Sequence, residues 1–497
     1  MIKNFLKIQV KKSMKNQIYD VVIIGAGGVG CAIARELSRF DLRAAVLEKE
    51  CDVAAGTSGR NSAVVHAGFN NRPGSLMAKL CVEGNRGFEA LCRELDVPYK
   101  KTGKVLIAFD DEDLRILRRT IAQGEENGCE GLRLINREEL RALAPGVGGI
   151  GGMYSPHTAI FDPFTYCVAL AENAAANGVR FFFDSAVTGI GREPEGFAVR
   201  TADAELRCRV LINSAGLYSD KISAMAGIGR YHIYPCRGEY YILDKVADKL
   251  PIPAYPAPKP GIGGLGVHLT PTVDGNLIIG PSAEYIGERE DYSCTAAAME
   301  KLFAEAKQLL PSLERRDIIG NYAGIRPKLA PPGEGGYRDF VIREEEDCPG
   351  LINLIGIESP GLTASYPIAR MVRELVAGHV KLAEKKEFQP VRRGIVRFRD
   401  LPEEEQGKLI AEDPEYGEIV CRCQRVTKRE IRQAIENPLG ARSISAIKYR
   451  AWATTGRCNG GYCLTRIVDM LVNEYGMRPE EITYRGPGSE LFCGKVK

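Results

Sequence analysis

No run of eighteen apolar residues occurs anywhere in this 497-residue chain, so no segment is expected to cross a membrane as a helix. Neither sign of charge is in excess. The 67 basic and 64 acidic residues leave +3, with no basic stripe, which argues against a nucleic-acid binder. A disulfide framework is excluded on similar grounds: fifteen cysteines are an odd number, largely isolated in a long chain, and fit a reducing cytoplasm. Internal repeats and low-complexity tracts are absent. The first residues carry Lys3, Lys7, Lys11, Lys12 and Lys15 but no apolar core or small-residue cleavage site, and so make a poor signal peptide. Residues 1–17 are read as an N-terminal extension, with Met14 as a possible start. Histidine (five) and tryptophan (one) are scarce, so few positions can serve as imidazole bases.

What is present is ordinary globular composition, 44% apolar and 26% charged, in a length that suits two or three domains. Tyr19-Asp-Val-Val-Ile-Ile24 reads as a buried parallel strand. It runs into Gly25-Ala26-Gly27-Gly28-Val29-Gly30 and then a helix from Cys31 to Phe40, followed by a second strand that ends at Glu48. In this context Gly25 turns the chain, Gly27 admits a pyrophosphate and Gly30 allows close helix packing. The helix N-terminus favours phosphate, and Glu48, 23 residues after Gly25, falls where ribose hydroxyls would sit.

At the other end stands Cys421-Arg-Cys423, then 34 residues, then Cys458-Asn-Gly-Gly-Tyr-Cys463. Cys-x-Cys is tighter than the usual zinc knuckle, whereas four thiolates are the common ligand set of an iron–sulfur cluster. Zinc or free thiols are the alternatives. Glycines in the second loop would let backbone N–H groups approach the cluster sulfides. Between the two ends, Glu239–Leu243 reads as a strand, and Asp274-Gly275 as the turn of a hairpin. Leu250 to Pro260 reads as a Pro-rich loop, and 381–405 as a polar connection. Thr427-Lys-Arg-Glu430 is a capping box opening a helix, and Thr465 to Tyr475 a further helix.

The cysteine spacing resembles the [2Fe–2S] domain of bacterioferritin-associated ferredoxin. Three further segments resemble the D-amino-acid-oxidase-type flavoproteins: Leu211–Asp220, Gly59–Gly68 and Gly356–Ser365. The resemblance implies non-covalent FAD rather than NAD. It also implies a Rossmann-like FAD-binding domain (about 18–75, 150–230 and 335–385), interleaved with a mostly antiparallel substrate layer (about 76–149 and 231–334). A linker (386–416), a small helical [2Fe–2S] domain (417–476) and a tail (477–497) would follow. The class is α/β with an α+β substrate layer. By the same resemblance the FAD-binding residues would be Gly25, Ala26, Gly27, Gly30, Glu48, Lys49, Thr57, Ser58, Asn61, Ser62, Val187, Ala215, Gly216, Gly356, Gly361, Leu362 and Thr363. Cys421, Cys423, Cys458 and Cys463 would hold the cluster.

With both modules, the chain looks like the catalytic subunits of anaerobic glycerol-3-phosphate dehydrogenases. Asp162-Pro-Phe164 and Arg326-Pro327 carry that likeness. His66-Ala-Gly-Phe-Asn, Pro73–Cys81, Arg237–Tyr241 and Leu265–Thr270 look more like L-2-hydroxyglutarate oxidases. Either way the resemblance implies an anionic secondary alcohol as substrate. Such a reaction needs a base for the hydroxyl proton, for which His66 and His268 are the candidates. Arg326, shared with Lys328, would grip the anion, with Arg237 a weaker candidate. Trp452 is expected in core or interface. Relatives of this kind imply a second, NAD(P)H-linked flavoprotein and a small or membrane-associated iron–sulfur subunit as partners, placing the chain in the cytoplasm or at the inner face of a membrane through a partner. A docking role for the cysteine domain on a simple oxidase is the alternative.

Overall fold

The computed structural model describes residues 18–245, 250–258 and 266–494. The N-terminal extension, the end of the Pro-rich loop and Leu265 lie outside them.

Val21, Val22, Ile23 and Ile24 are β-branched and buried, and they form the strand Ile18–Ile24 at the centre of an eight-stranded sheet. Ala44–Leu47 lies parallel on one side and Glu205–Asn213 parallel on the other. Glu205–Asn213 is long enough to hold two neighbours along its far edge. Its first half pairs antiparallel with Gly196–Thr201, and its last three residues pair parallel with Cys348–Ile355. Helix Gly28–Leu37 follows the first strand and is buried along nearly its whole length against the helices Pro163–Ala176 and Ser365–Ala377.

A second, nine-stranded sheet is antiparallel except where Ala254–Pro256 runs parallel to Lys104–Ala108. Its spine is Tyr234–Lys245, which pairs along its length with Ile318–Lys328 and thereby sets Arg326 opposite Cys236. The hairpin His268–Pro271 with Asn276–Gly280 turns at Asp274-Gly275, where Gly275 has φ +90°. Helix Ala296–Leu309 covers the sheet with Met299, Leu302 and Phe303.

The division between the layers differs from the expected boundaries in two places. Helix Leu76–Leu95, expected in the substrate layer, packs in the core beneath the first sheet, with Phe88 against Phe161 and Tyr166. Gly151–Ser155, expected on the FAD side, pairs with Lys104–Ala108 in the second sheet. Residues 477–494, within the expected tail, belong to the small C-terminal module. Ile482 is fully buried among Ile431, Ile444 and Leu471, and Thr483 and Tyr484 accept the N–H groups of Ile444 and Ser445.

The small C-terminal module is built as its sequence suggests. Thr427 and Glu430 exchange side-chain and backbone hydrogen bonds in a complete capping box that opens Lys428–Ile435. The last expected helix is α-helical over Cys463–Asp469 and continues as a π-helical turn, Met470–Glu474. Trp452 sits at the junction with the larger unit, under the Arg397 guanidinium.

Candidate functional site

A cavity of ≈ 760 Å³ runs from the glycine-rich turn, between the two sheets, to the end of strand Ile318–Lys328. Its dinucleotide end is shaped by missing side chains. Gly25 has φ +101°, and a Cβ there would lie 2.7 Å from the Ser214 carbonyl oxygen. A Cβ on Gly30 would lie 2.0 Å from the Gly25 carbonyl oxygen, so only glycine lets the helix start this close to the turn. Helix Gly28–Leu37 has no side-chain cap at Gly27, and its first-turn N–H groups open toward the cavity; the Gly28 N–H is given to Ser58 Oγ (2.9 Å). The Glu48 carboxylate is anchored by the N–H groups of Ala26 (2.7 Å) and Glu50 (3.0 Å). Burial pushes its pKa up while those two bonds oppose the shift. A glycine cradle, an uncapped helix start and a fixed carboxylate are the parts an ADP moiety needs, so the residues fit FAD.

Most of the expected cofactor residues line this cavity: Gly25, Gly27, Glu48, Lys49, Thr57, Ser58, Asn61, Ser62, Val187, Ala215, Gly216, Gly361, Leu362 and Thr363. Ala26, Gly30 and Gly356 are not on its wall and act behind it. Gly356, at φ +71°, lets the chain pass over Leu329. Lys49 is at the rim, paired with Glu50 and with Glu290 (2.9 Å). The loop from Thr57 to Ser62 is pinned from both sides. Thr57 Oγ1 donates to the Ile325 carbonyl (2.8 Å), and Ser62 Oγ lies 3.2 Å from His268 Nε2. Across from it, Thr363 Oγ1 accepts the His66 N–H just before helix Ser365–Ala377 begins.

At the far end the structure brings His66, His268, Arg326 and Lys328 onto one wall. His268 stacks on Tyr255 with ring centroids 3.8 Å apart, and its Nδ1 lies 3.0 Å from the Gly266 carbonyl. A carbonyl only accepts, so Nδ1 carries the proton and Nε2 takes the Ser62 hydroxyl. Burial pushes the His268 pKa down to about 3, although its bond to Gly266 opposes the shift. His66 is also held well below the ordinary imidazole range, by burial and by Lys104 and His268 beside it. Both rings are therefore neutral at pH 7.

The two expected cations differ sharply. Arg326 donates Nη2 to the Ser282 carbonyl (2.7 Å) and has no carboxylate at ion-pair distance among the described residues. Lys328 is already neutralised: its ammonium donates to both oxygens of Glu358 (2.9 and 2.8 Å) and to the Gly336 carbonyl (2.7 Å). Arg237 lies off the cavity wall, ringed by Glu239, Glu284 and Asp291. Lys104, which the sequence reading passed over, reaches the same wall from the second sheet. Its signal was a single charge at the head of an otherwise apolar, buried strand.

In the C-terminal module, Cys421 Sγ lies 3.7 Å from Cys423 Sγ, which lies 3.8 Å from Cys458 Sγ. Cys463 hydrogen-bonds to Cys421 and pulls the latter's pKa down to about 5, helped by backbone N–H groups of Thr454 and Gln424. The Gly460 and Tyr462 N–H groups lower that of Cys458 in the same way. Gly456, another residue passed over, leaves room for the group, since a Cβ there would lie 2.4 Å from Cys423 Sγ. Among the described residues no three His, Cys, Asp or Glu side chains gather around a single-ion position. Thiols close in pairs, ringed by N–H donors and facing glycine, fit the donor set of a [2Fe–2S] cluster. Cys421 and Cys463 are buried, whereas Cys423 and Cys458 are exposed.

Comparison with known proteins supports both cofactors. The FAD dependent oxidoreductase family profile matches residues 20–375, and that of the BFD-like [2Fe-2S] binding domain matches residues 419–473. A glycerol 3-phosphate dehydrogenase of Caloramator mitchellensis is 38% identical over 97% of this chain and 99% of its own length. The mitochondrial L-2-hydroxyglutarate dehydrogenase of Caenorhabditis elegans is 33% identical, over 75% of this chain and 96% of its own. Among solved structures, the FAD-bound L-alpha-glycerophosphate oxidase of Mycoplasma pneumoniae superposes with a TM-score of 0.70 at 28% identity, covering 76% of this chain and 98% of that one. No helix among the described residues is long and apolar enough to cross a membrane. The chain belongs to the D-amino-acid-oxidase-type FAD-dependent oxidoreductases and carries a C-terminal BFD-like [2Fe–2S] domain.

Proposed function

We propose that this enzyme oxidises sn-glycerol 3-phosphate to dihydroxyacetone phosphate and passes the electrons through its [2Fe–2S] cluster to a partner. The observation that carries the substrate reading is Arg326. A half-buried guanidinium with no carboxylate at ion-pair distance among the described residues, at the end of the flavin cavity, invites an anion with bidentate geometry. The 38% identity to a glycerol 3-phosphate dehydrogenase spans both modules and supports this choice. FAD supplies the two-electron oxidant for the carbinol C–H bond, and the cluster carries one electron at a time. The neutral His66 ring orients the substrate hydroxyl, the neutral His268 ring fixes Ser62 on the cavity lining, Arg326 holds the phosphate, and Gly361 to Thr363 with the start of the next helix support the flavin pyrimidine end. A cytoplasmic site of action, with a second flavoprotein and a small or membrane-associated iron–sulfur subunit as partners, follows from the same reading.

The exposed edge formed by Cys423 and Cys458 is the natural exit for electrons. A second reading, L-2-hydroxyglutarate as substrate with the cysteine module used for docking, draws support from the 33% identity to that dehydrogenase over the flavin module. Anaerobic mixing with each compound separates the two. Flavin bleaching by glycerol 3-phosphate and not by L-2-hydroxyglutarate supports the first, and the reverse overturns it.

A further inference from the structure

Lys104 is 1% exposed, yet it borders the flavin cavity. Its Nζ lies 4.6 Å from the centre of the Phe69 ring and 4.3 Å from that of Tyr255. No carboxylate pairs with it and no hydrogen bond holds it among the described residues. Buried lysines are normally paired, so a lone one aimed into a reaction cavity needs another reason to be there. The groups facing it are few. Cys81 comes from helix Leu76–Leu95 and Cys129 from beyond helix Asp111–Glu126, both with thiol pKa values pushed up by burial, the latter to about 11. His66 comes from the loop beside the flavin site, and Tyr255 and His268 from the second sheet, with Arg326 behind His268. None of these is an anion at neutral pH.

We propose that Lys104 is a catalytic residue whose side-chain amine takes the hydroxyl proton of the alcohol as its hydride leaves for FAD. The proposal rests on the alcohol-oxidation reading above. In balance, the carbinol C–H electron pair goes to FAD and the O–H proton to the Lys104 nitrogen. The C–O bond becomes C=O, and the resulting ammonium returns its proton to water when the product departs. The other bases of the cavity are worse placed for this. His268 Nε2 is taken by the Ser62 hydroxyl, and His66 Nε2 lies 3.4 Å from Ser359 Oγ. Burial also sets the bases apart. It lowers Lys104 to about 7, where a general base works best, and lowers His268 to about 3, where the ring is too weak to hold a proton.

The test uses the FAD-loaded full chain. Rates of anaerobic flavin bleaching by glycerol 3-phosphate and by L-2-hydroxyglutarate are measured from pH 5.5 to 9 for wild type, Lys104→Met and Lys104→Arg. Binding of dihydroxyacetone phosphate is followed separately through the flavin spectrum. Flavin content and the far-ultraviolet spectrum report folding. The wild-type rate should rise with pH through one ionisation near 7, because the free amine is the working form. Both variants should lose about 10²–10⁴-fold in rate, together with that ionisation, while still binding the product. Small primary amines added to Lys104→Met should restore part of the rate in proportion to their basicity. An Arg variant as fast as wild type would make Lys104 an anion ligand and overturn the proposal, as would a Met variant that keeps the ionisation. If Lys104→Met fails to bind FAD, the Arg variant alone decides by the same two criteria. Wild-type flavin bleached by neither compound overturns the alcohol reading itself, and Lys104's role with it.

Discussion

The Arg450 guanidinium grips Asp52 with two parallel bonds, Nη1 to Oδ2 at 2.6 Å and Nη2 to Oδ1 at 3.0 Å. Arg450 is on helix Ile444–Ala451 of the cysteine module, and Asp52 is in the loop just beyond Glu48. The same arginine reaches Glu172 through Nε (3.3 Å), and Arg392 of the connecting segment takes the other Glu172 oxygen (2.8 Å). Nearby, the Phe164 and Tyr449 rings stack 3.8 Å apart. Phe164 in turn packs under Gly59 of the flavin-side loop, where a Cβ would lie 2.7 Å from its ring. Cluster module and flavin module are thus fastened at the loops that border the cofactor.

Arg450→Ala should be costly. It leaves the buried Asp52 carboxylate without its counter-charge, while Glu172 keeps Arg392, a loss of about 3–5 kcal/mol, whereas an exposed pair would be worth under about 1 kcal/mol. The expected result is a lower Tm and faster proteolysis between 386 and 416. Flavin reduction by substrate should persist, and electron arrival at the cluster should slow.

Cys421→Ser should remove the visible [2Fe–2S] absorption and transfer to any acceptor at the exposed edge. Flavin reduction by substrate should survive, since the thiols and the cavity belong to different modules. Loss of that half-reaction as well would contradict the two-module reading.

Gly30→Ala places a methyl 2.0 Å from the Gly25 carbonyl oxygen, with backbone rather than a movable side chain in the way. Overpacking of this kind costs about 1–3 kcal/mol and should push the helix start off the turn. The flavin-to-protein ratio after gel filtration checks it, and a variant that retains full FAD would contradict the cradle.

Arg326→Ala should weaken substrate binding by more than tenfold, from the roughly 2–5 kcal/mol lost when a bidentate charged contact is removed. FAD content should be unchanged. Lys328→Ala should act differently, since it frees the Glu358 carboxylate in the cavity wall and so repels an anion as well as losing a cation. Titration with dihydroxyacetone phosphate distinguishes the two.

Stability should fall as the solution is acidified. His268 is neutral in the folded protein down to about pH 3, but in the unfolded chain it takes up a proton near its ordinary 6.5. The unfolded state therefore binds more protons across that window, and stability present above about pH 6.5 is lost progressively toward pH 3. His66 is displaced in the same direction and adds to the slope. His268→Asn should flatten the dependence of Tm on pH in this range.

Much of the cofactor chemistry is legible in sequence because it is local. Gly25 to Gly30 sit within one turn and its helix, Glu48 directly follows the next strand, and each cysteine pair falls within at most six consecutive residues. Arg326 is legible as a candidate anchor, and Lys328 beside it, but what surrounds Lys328 is not. Its charge is cancelled by Glu358, which is thirty residues away and on the wall only because of how the chain returns after the second sheet. Lys104 went unread for a related reason. Nothing near it in sequence shows that no acid faces it, or that two rings and two imidazoles do. The boundaries at 76, 150 and 477 moved because packing decides which core a segment joins, as Phe88 and Ile482 illustrate, and packing is not local.

The most direct measurement of the whole account is anaerobic rapid mixing of the FAD- and cluster-loaded chain with glycerol 3-phosphate, following flavin absorption optically and the cluster by electron paramagnetic resonance of frozen samples. Flavin should bleach first, and the signal of a reduced [2Fe–2S] cluster should then grow as electrons pass on one at a time. A flavin that bleaches while the cluster stays oxidised, or that responds to L-2-hydroxyglutarate alone, would contradict it.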